Sequence, residues 1–304
     1  MEKIRLAKTE LYVSPICYGT WEIGGMPFFQ TPERDKAIRA IHAALDIGIN
    51  FIDTAPVYGF GRSEELLGQA ISGREVVLAT KCGLYWEGND VDSINANNSP
   101  QFIRKDLEGS LKRLKRESID IYQVHWPEFE KKTPLEETIG ALEQLKHEGK
   151  IRYYGVSNFS SEQLKEAMLY RDISTLQNRY SILMGHTDEI ALCDGRGIAF
   201  MAYSPLHRGL LTNQFDNNFS ESQDPMVRRI SEEQDYEINK AKARELNRIA
   251  KSHGVSLPNL VLNYMIRHAQ VKIAIVGSKN PSHITELGKV LEINIKPDEI
   301  GGVL

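Results

Sequence analysis

Val76-Val77-Leu78-Ala79-Thr80-Lys81 runs four apolar residues without a polar break and then presents a lysine. A strand with one wet face alternates apolar and polar residues, whereas an unbroken apolar run belongs to a strand covered on both sides. Ile198-Ala199-Phe200-Met201-Ala202 has the same character. Working outward, strand-like runs fall at 16–20, 49–53, 76–80, 120–125, 152–156, 174–177, 198–202 and 272–276. Amphipathic helix candidates lie between them: Arg34–Ile47, Ser63–Ala70, Pro100–Lys115, Pro134–His147, Ser160–Leu169 and Ile238–His253. Ser63, followed by glutamate, reads as a helix start. Strand and helix in alternation define a parallel sheet, and eight units favour closure into an α/β (β/α)8 TIM barrel.

Two pieces stand outside that repeat. Ile4-Arg5-Leu6 and Leu11-Tyr12-Val13 around Lys8-Thr9-Glu10 read as an N-terminal β-hairpin plugging the barrel bottom. A polar stretch from about His207 to Asp235 is too long for an ordinary barrel connection. It is expected to be a long loop after strand 7 and a mobile flap over the active-site face. With no linker visible, residues 1–304 are expected to form a single domain.

The composition suits small-molecule chemistry. The chain has 304 residues, 41% hydrophobic and 26% charged, and a net charge of −4 with no long basic run. That gives no footprint for nucleic acid or an anionic membrane. No apolar run approaches the roughly 20 residues that span a bilayer, and Met1-Glu2-Lys3 leads into no signal-peptide core, so a cytoplasmic location is expected. Cys17, Cys82 and Cys193 form no CxxC pair and are expected to be buried thiols. The eight histidines contain no HxxH or HExxH, so metal-free chemistry is expected.

A barrel enzyme carries its reactive groups at the C-terminal ends of its strands. Here Asp53 closes Phe51-Ile52-Asp53, and Tyr58 follows it in the loop Thr54-Ala55-Pro56-Val57-Tyr58-Gly59. Lys81 ends the next strand, and His125 ends Ile121-Tyr122-Gln123-Val124-His125. A tyrosine near pKa 10 is a poor acid at neutral pH, and a neighbouring lysine cation lowers that pKa. Asp53 within reach would keep a buried Lys81 protonated, and His125 would orient a substrate carbonyl. What the set lacks is a hydride donor for the carbonyl carbon.

The motifs FIDTAPVYG, ATKCG, YQVHWP, GKIRYYGVSNF, LQNRYS, AYSPLHRGLL and IVGSKNPSHI, in this order from about Ile16 to Glu286, resemble those of the aldo-keto reductase superfamily. The branch it most resembles includes bacterial members and the potassium-channel β subunits. The resemblance implies a (β/α)8 barrel that binds NADPH, sometimes NADH, without a Rossmann domain, and reduces an aldehyde or ketone reversibly. It gives Tyr58 the proton-donor role, with Asp53, Lys81 and His125 completing the catalytic tetrad. For the cofactor it implies Gly19, Thr20, Trp21 and Asp53 near the nicotinamide ribose, and Ser157, Asn158 and Gln177 at the carboxamide. Tyr203 would stack on the nicotinamide, and Ser204, Pro205, Leu206, Arg208, Gly209 and Leu211 would wrap the pyrophosphate. Gly277, Ser278, Lys279, His283 and Glu286 would meet the adenosine end. There the chain departs from the best-known pattern: His283 stands at the usual arginine and Leu287 at an asparagine. NADPH is the expected cofactor and NADH remains open.

Each residue also has a plainer reading. Lys81 alone would be a solubilising surface lysine and His125 a satisfied core histidine; at neighbouring strand ends, in one family pattern, the functional reading prevails. Trp21, Tyr85, Trp86 and Trp126 are either rim aromatics or the walls of an apolar substrate pocket. Gly59-Phe60-Gly61-Arg62-Ser63-Glu64 begins like a dinucleotide fingerprint but puts Glu64 at the third glycine, so it reads as a turn. Tyr236 and Lys240 share the Tyr-x-x-x-Lys spacing of short-chain dehydrogenases in a charged stretch, and read as a solvated helix face. An alternative function is a nicotinamide-binding auxiliary subunit with little turnover. Against it stands the lack of an extension before the barrel. Sugars, quinones, methylglyoxal-like aldehydes and keto acids all remain open as substrates, and the oligomeric state is not legible.

Overall fold

Side chains on a strand alternate between its two faces, and in this chain most odd-numbered residues of the barrel strands point into the barrel. Cys17, Phe51, Ala79, Ile121, Ala199, Met201, Ile273 and Ile275 form one inner cluster. Their even-numbered neighbours Ile16, Tyr18, Ile52, Leu78, Tyr122, Phe200 and Ala274 pack outward in the larger helix-facing core. Burial on both faces is why these segments read as unbroken apolar runs.

The structure is a computed structural model describing residues 1–304 except 129, 131, 186, 223, 224 and 270, with only the backbone described at 225 and 226. Its strands are β1 (Ile4–Arg5), β2 (Tyr12–Val13), β3 (Ile16–Gly19), β4 (Phe51–Asp53), β5 (Val77–Cys82), β6 (Leu84–Trp86), β7 (Ile94–Ala96), β8 (Ile119–Val124), β9 (Ile151–Ser157), β10 (Thr175–Arg179), β11 (Ala199–Tyr203) and β12 (Ile273–Val276). Eight of them close a parallel barrel in the order β10-β11-β12-β3-β4-β5-β8-β9. These are the eight segments expected from the sequence.

The helices include α1 (Trp21–Gly24), α2 (Arg34–Asp46), α3 (Arg62–Ala70), α4 (Pro100–Leu114), α5 (Leu135–His147), α6 (Ser161–Tyr170) and α7 (Asp188–Arg196). They continue with α8 (Pro225–Arg228), α9 (Tyr236–Ser252), α10 (Leu257–His268), α11 (Pro281–Glu286) and α12 (Pro297–Gly301). Strong local signals start two of them. Ser99 accepts from Phe102 N–H ahead of Pro100, and Ser160 with Gln163 closes a capping box on α6. Ser63 is not a cap: α3 begins at Arg62 after Gly61, whose φ of 98° suits glycine. The Ser63 hydroxyl instead turns inward to Thr20 Oγ1 at 2.8 Å, joining α3 to the end of β3.

The hairpin β1–β2 plugs the barrel bottom as expected: Leu6, Leu11 and Val13 belong to the inner cluster. Asn50 secures it, accepting from Ser14 N–H at 2.7 Å and donating to the Tyr12 carbonyl at 2.9 Å. The 207–235 segment differs from the expected flap. Short helical turns fill it, and Phe215, Phe219 and Ile230 bury into the core. Positions 223 and 224 of that call lie outside the described residues. No helix among the described residues is long and apolar enough to cross a membrane.

Close packing of α3 on α4 leaves no room at Gly68, where an added Cβ would overlap the Arg113 carbonyl. Alanine is the better helix former by about 1 kcal/mol. Overlap with backbone outweighs that gain, so Gly68→Ala is expected to destabilise the protein in denaturant unfolding by about 1–3 kcal/mol. A stabilised variant would contradict this packing.

Candidate active site

The inward parity that fills the barrel with apolar residues also selects what emerges at its top. Asp53, Lys81, His125, Ser157, Tyr203, Gly19 and Gly277 are all odd-numbered and at or just beyond strand ends, and odd-numbered Gln177 lies in the middle of β10. Hydrogen bonds carry the ladder into the loops: Thr54 N–H donates to Ala79 O, His125 N–H to Cys82 O and Asn158 N–H to Gln177 O. The first loop residues are therefore held as firmly as the strands.

At the centre Lys81, fully buried, donates from Nζ to Asp53 Oδ2 at 2.7 Å, to the Thr54 carbonyl at 3.0 Å and to Tyr58 Oη at 3.2 Å. All three ammonium protons are thereby used. The other carboxylate oxygen of Asp53 accepts from Gln177 Nε2 at 2.8 Å. Burial disfavours the Lys81 cation, but Asp53 and the tyrosine oxygen outweigh it and move the lysine pKa above its usual value.

Tyr58 departs from the sequence expectation. Burial pushes its phenol up to about 12, against the opposing pull of the Lys81 cation. Desolvation wins here because phenolate loses more solvation on burial than one nearby cation restores. The Tyr58 proton is thus firmly held in the resting site.

His125 packs edge-on to Tyr58 with ring centroids 5.8 Å apart. Burial, helped by repulsion from Lys81, holds its imidazole well below 6.5. It is neutral at neutral pH and has an N–H to donate. From its main-chain oxygen it accepts a bond from Asn158 Nδ2 at 2.9 Å, while Asn158 Oδ1 accepts from Tyr203 Oη at 2.8 Å. Ser157 Oγ donates to the Gln177 carbonyl at 2.8 Å. One bonded rim therefore joins β8, β9, β10 and β11.

The expected pyrophosphate loop has unusual backbone: Ser204, His207 and Arg208 sit at φ of 54°, 48° and 50°, before Gly209 at 105°. His207 among them is held by a cluster absent from the sequence reading. His207 Nε2 meets Glu233 Oε2 at 2.7 Å and its Nδ1 meets Ser181 Oγ at 2.8 Å. Arg179 completes it, donating to Glu233 Oε1 at 2.5 Å. The asparagine-arginine pair inside LQNRYS was the available signal, but its partner Glu233 lies 54 residues away.

Two buried donors fit a polar ligand at this rim, since the Trp21 indole N–H and the Arg179 Nε–H find no partner among the described residues. Gly19 and Gly277 need no ligand to explain them: a Cβ on Gly277 would overlap the Gly19 carbonyl where β3 and β12 converge. At the expected adenosine end Pro281 opens α11, capped by Asn280 onto Ser282 N–H. Ser278 Oγ and Asn280 Nδ2 lie 3.3 and 3.2 Å from the two ring nitrogens of His283.

The expected aromatic wall divides. Trp21 lies 6.2 Å from the Tyr58 ring, and Trp86 stacks on Phe60 at 5.0 Å, in the same loop as Tyr58. Tyr85, the neighbour of Trp86 on β6, packs on Phe102 of α4 instead, at 5.7 Å. Trp126 follows His125 and is partly exposed. The false fingerprint is a turn: Glu64 is fully buried and serves Thr80 Oγ1 and Arg113 Nε, each at 2.7 Å. Lys240 lies over the ring of Tyr236 on α9, and that ring packs on Phe219 with centroids 6.2 Å apart. Cys17, Cys82 and Cys193 are buried and free. Among the described residues no three His, Cys, Asp or Glu side chains are grouped as metal ligands.

Known proteins match this arrangement. The model of the aldo/keto reductase family matches residues 15–303, and the chain belongs to that family. It is similar to aldo-keto reductase YhdN of Bacillus subtilis, 36% identical over 299 residues, covering 95% of this chain and 88% of that protein. It is 33% identical over 315 residues to the NADH-specific methylglyoxal reductase of Escherichia coli, covering 97% and 95%. Among solved structures it resembles glycerol dehydrogenase AKR11B4 from Gluconobacter oxydans, with TM-score 0.89, 33% identity and coverage of 99% and 94%. The chain is accordingly a nicotinamide-dependent aldo-keto reductase that acts on carbonyl compounds.

A depressed histidine pKa has a stability consequence of definite sign. Unfolded His125 takes up a proton near pH 6.5, whereas folded His125 does not. Its contribution is complete above pH 6.5 and is lost as pH falls, at up to about 1.4 kcal/mol per pH unit. Denaturant unfolding between pH 7 and 5 should show a steeper loss for the native protein than for His125→Phe. Equal slopes would contradict a neutral buried imidazole.

Proposed function

We propose that Tyr58 is the proton donor in carbonyl reduction, with Lys81 and Asp53 fixing the electrostatics around it and His125 orienting the substrate. The observation carrying this reading is the 3.2 Å approach of Lys81 Nζ to Tyr58 Oη, with Asp53 at 2.7 Å on the same ammonium. A bound reduced nicotinamide supplies the hydride. As the carbonyl oxygen gains negative charge, the phenol of Tyr58 becomes acidic enough relative to it to transfer its proton. The Lys81 cation stabilises the phenolate left behind. The neutral His125 N–H donates to the same oxygen and sets its angle. The reverse sequence oxidises an alcohol.

Ser157, Asn158 and Gln177 suit the carboxamide, Tyr203 the nicotinamide face, and the loop from Ser204 to Leu211 the pyrophosphate. Arg179 joins that last set as a further donor. Gly277, Ser278, Lys279, His283 and Glu286 take the adenosine end. Lys279 and Ser278 favour NADPH, with NADH accepted as well. Trp21, Trp86 and Trp126 border a pocket for a small carbonyl compound. The whole chain acts as a single barrel domain, working in the cytoplasm.

Tyr58→Phe keeps the ring and loses only the hydroxyl. It should bind NADPH as the native protein does while kcat falls by about 10²–10⁴. Cofactor-fluorescence titration and NADPH consumption over a panel of aldehydes, ketones and aldoses check both halves. Unchanged reduction by the variant would overturn the assignment.

A further inference from the structure

Glu22 stands in the first turn of α1, directly after Gly19-Thr20-Trp21, where β3 ends beside its barrel neighbour β12. Its Oε2 accepts a hydrogen bond from the backbone N–H of Lys279 at 3.3 Å, 257 residues away. The neighbouring Tyr18 hydroxyl donates to the Ser278 carbonyl at 3.0 Å. Burial first, and the Glu22 charge second, hold that phenol above its ordinary pKa, which places the carboxylate close by. The acid therefore lies against the segment given above to the adenosine end. Cationic help there is thin. The Lys279 ammonium extends towards the Gln30 carbonyl, 3.5 Å away, and both ring nitrogens of His283 are engaged by Ser278 and Asn280.

A carboxylate accepts hydrogen bonds and repels anions. The two nicotinamide dinucleotides differ at one point, where one presents a ribose hydroxyl that can donate and the other a phosphate that cannot be approached by a carboxylate without cost. An acid near that ribose position is the common device for holding the free hydroxyl, as a cation is for the phosphate. We propose that Glu22 sets the cofactor selectivity of this chain, favouring the dinucleotide with a free 2′-hydroxyl and opposing the pull of Lys279 on a 2′-phosphate. This rests on the reading of Gly277 to Glu286 as the adenosine end. It assigns the preference to a residue just past the end of β3, the strand paired with β12, and not to the segment after β12 that the sequence pattern marks.

Glu22→Gln tests it with little disturbance, because the amide oxygen still accepts from Lys279 N–H. Titration of the purified protein with NADPH and with NADH, followed by tryptophan quenching, gives the ratio of the two affinities. The variant should move that ratio towards NADPH by about tenfold, the effect of one like-charge repulsion removed at a partly exposed site. Glu22→Asp keeps the charge and should leave the ratio near its native value. In the unaltered protein, 2′,5′-ADP should gain no more than about tenfold over 5′-AMP as a competitor, which needs no variant to fold.

Three results would overturn the proposal: a ratio unmoved by Glu22→Gln, both affinities shifting by the same factor, or a native preference for 2′,5′-ADP of about a hundredfold or more. Each leaves the reductase reading standing. Native protein that binds neither dinucleotide would remove that reading and the proposal together.

Discussion

A lysine ammonium with no exposure to water is the constraint on which the rest of this molecule depends. An isolated buried ion costs several kcal/mol even after the protein relaxes around it, and only close partners offset that cost. Asp53, the Thr54 carbonyl and Tyr58 supply three acceptors for three protons. Gln177 then satisfies the remaining face of Asp53. Three strands, β4, β5 and β10, and the loop after β4 must be in register for this to hold. The ladder bonds that run on from strands into loops keep them so, and the hairpin at the bottom fills the barrel beneath with Leu6, Leu11 and Val13.

The same dryness shapes the chemistry. Burial raises the Tyr58 phenol to about 12 and lowers His125, so both carry protons suited to donation at neutral pH: one a hydroxyl that does not ionise early, the other a neutral imidazole. Lys81 does not make Tyr58 a strong acid in the resting site. It stabilises the anion that appears only once a carbonyl oxygen has taken the proton. An interaction realised chiefly after that transfer accelerates the step rather than tightening the ground state.

How much of this was legible depended on the physics involved. The eight barrel strands could be read because residues buried on both faces leave unbroken apolar runs such as Val76 to Ala79. Asp53, Lys81 and His125 could be read because strand ends in a barrel point at the site. The hairpin of β6 and β7 was missed: each strand is three residues long, too short to show a period. The 207–235 segment looked like a solvated flap because its anchors Phe215, Phe219 and Ile230 are widely spaced among polar residues. Ser63 looked like a cap, since a sequence shows which residue can bond a helix end but not that Thr20 competes for its hydroxyl. The rise in the Tyr58 pKa was hidden for a related reason: pairing with lysine is visible in a motif, whereas the degree of desolvation is a property of the packed site. Arg179, His207 and Glu233 were hidden by sequence distance.

The most direct test of the account is to remove both charges at its centre. Lys81→Met alone leaves Asp53 buried without its cation and should cost about 3–5 kcal/mol in denaturant unfolding. Adding Asp53→Asn should recover most of that stability, because a neutral pair needs no counterion, yet carbonyl reduction should stay lost. Recovery of stability without turnover is the predicted outcome. A double variant that folds, binds cofactor and reduces carbonyls at the native rate would contradict the central claim.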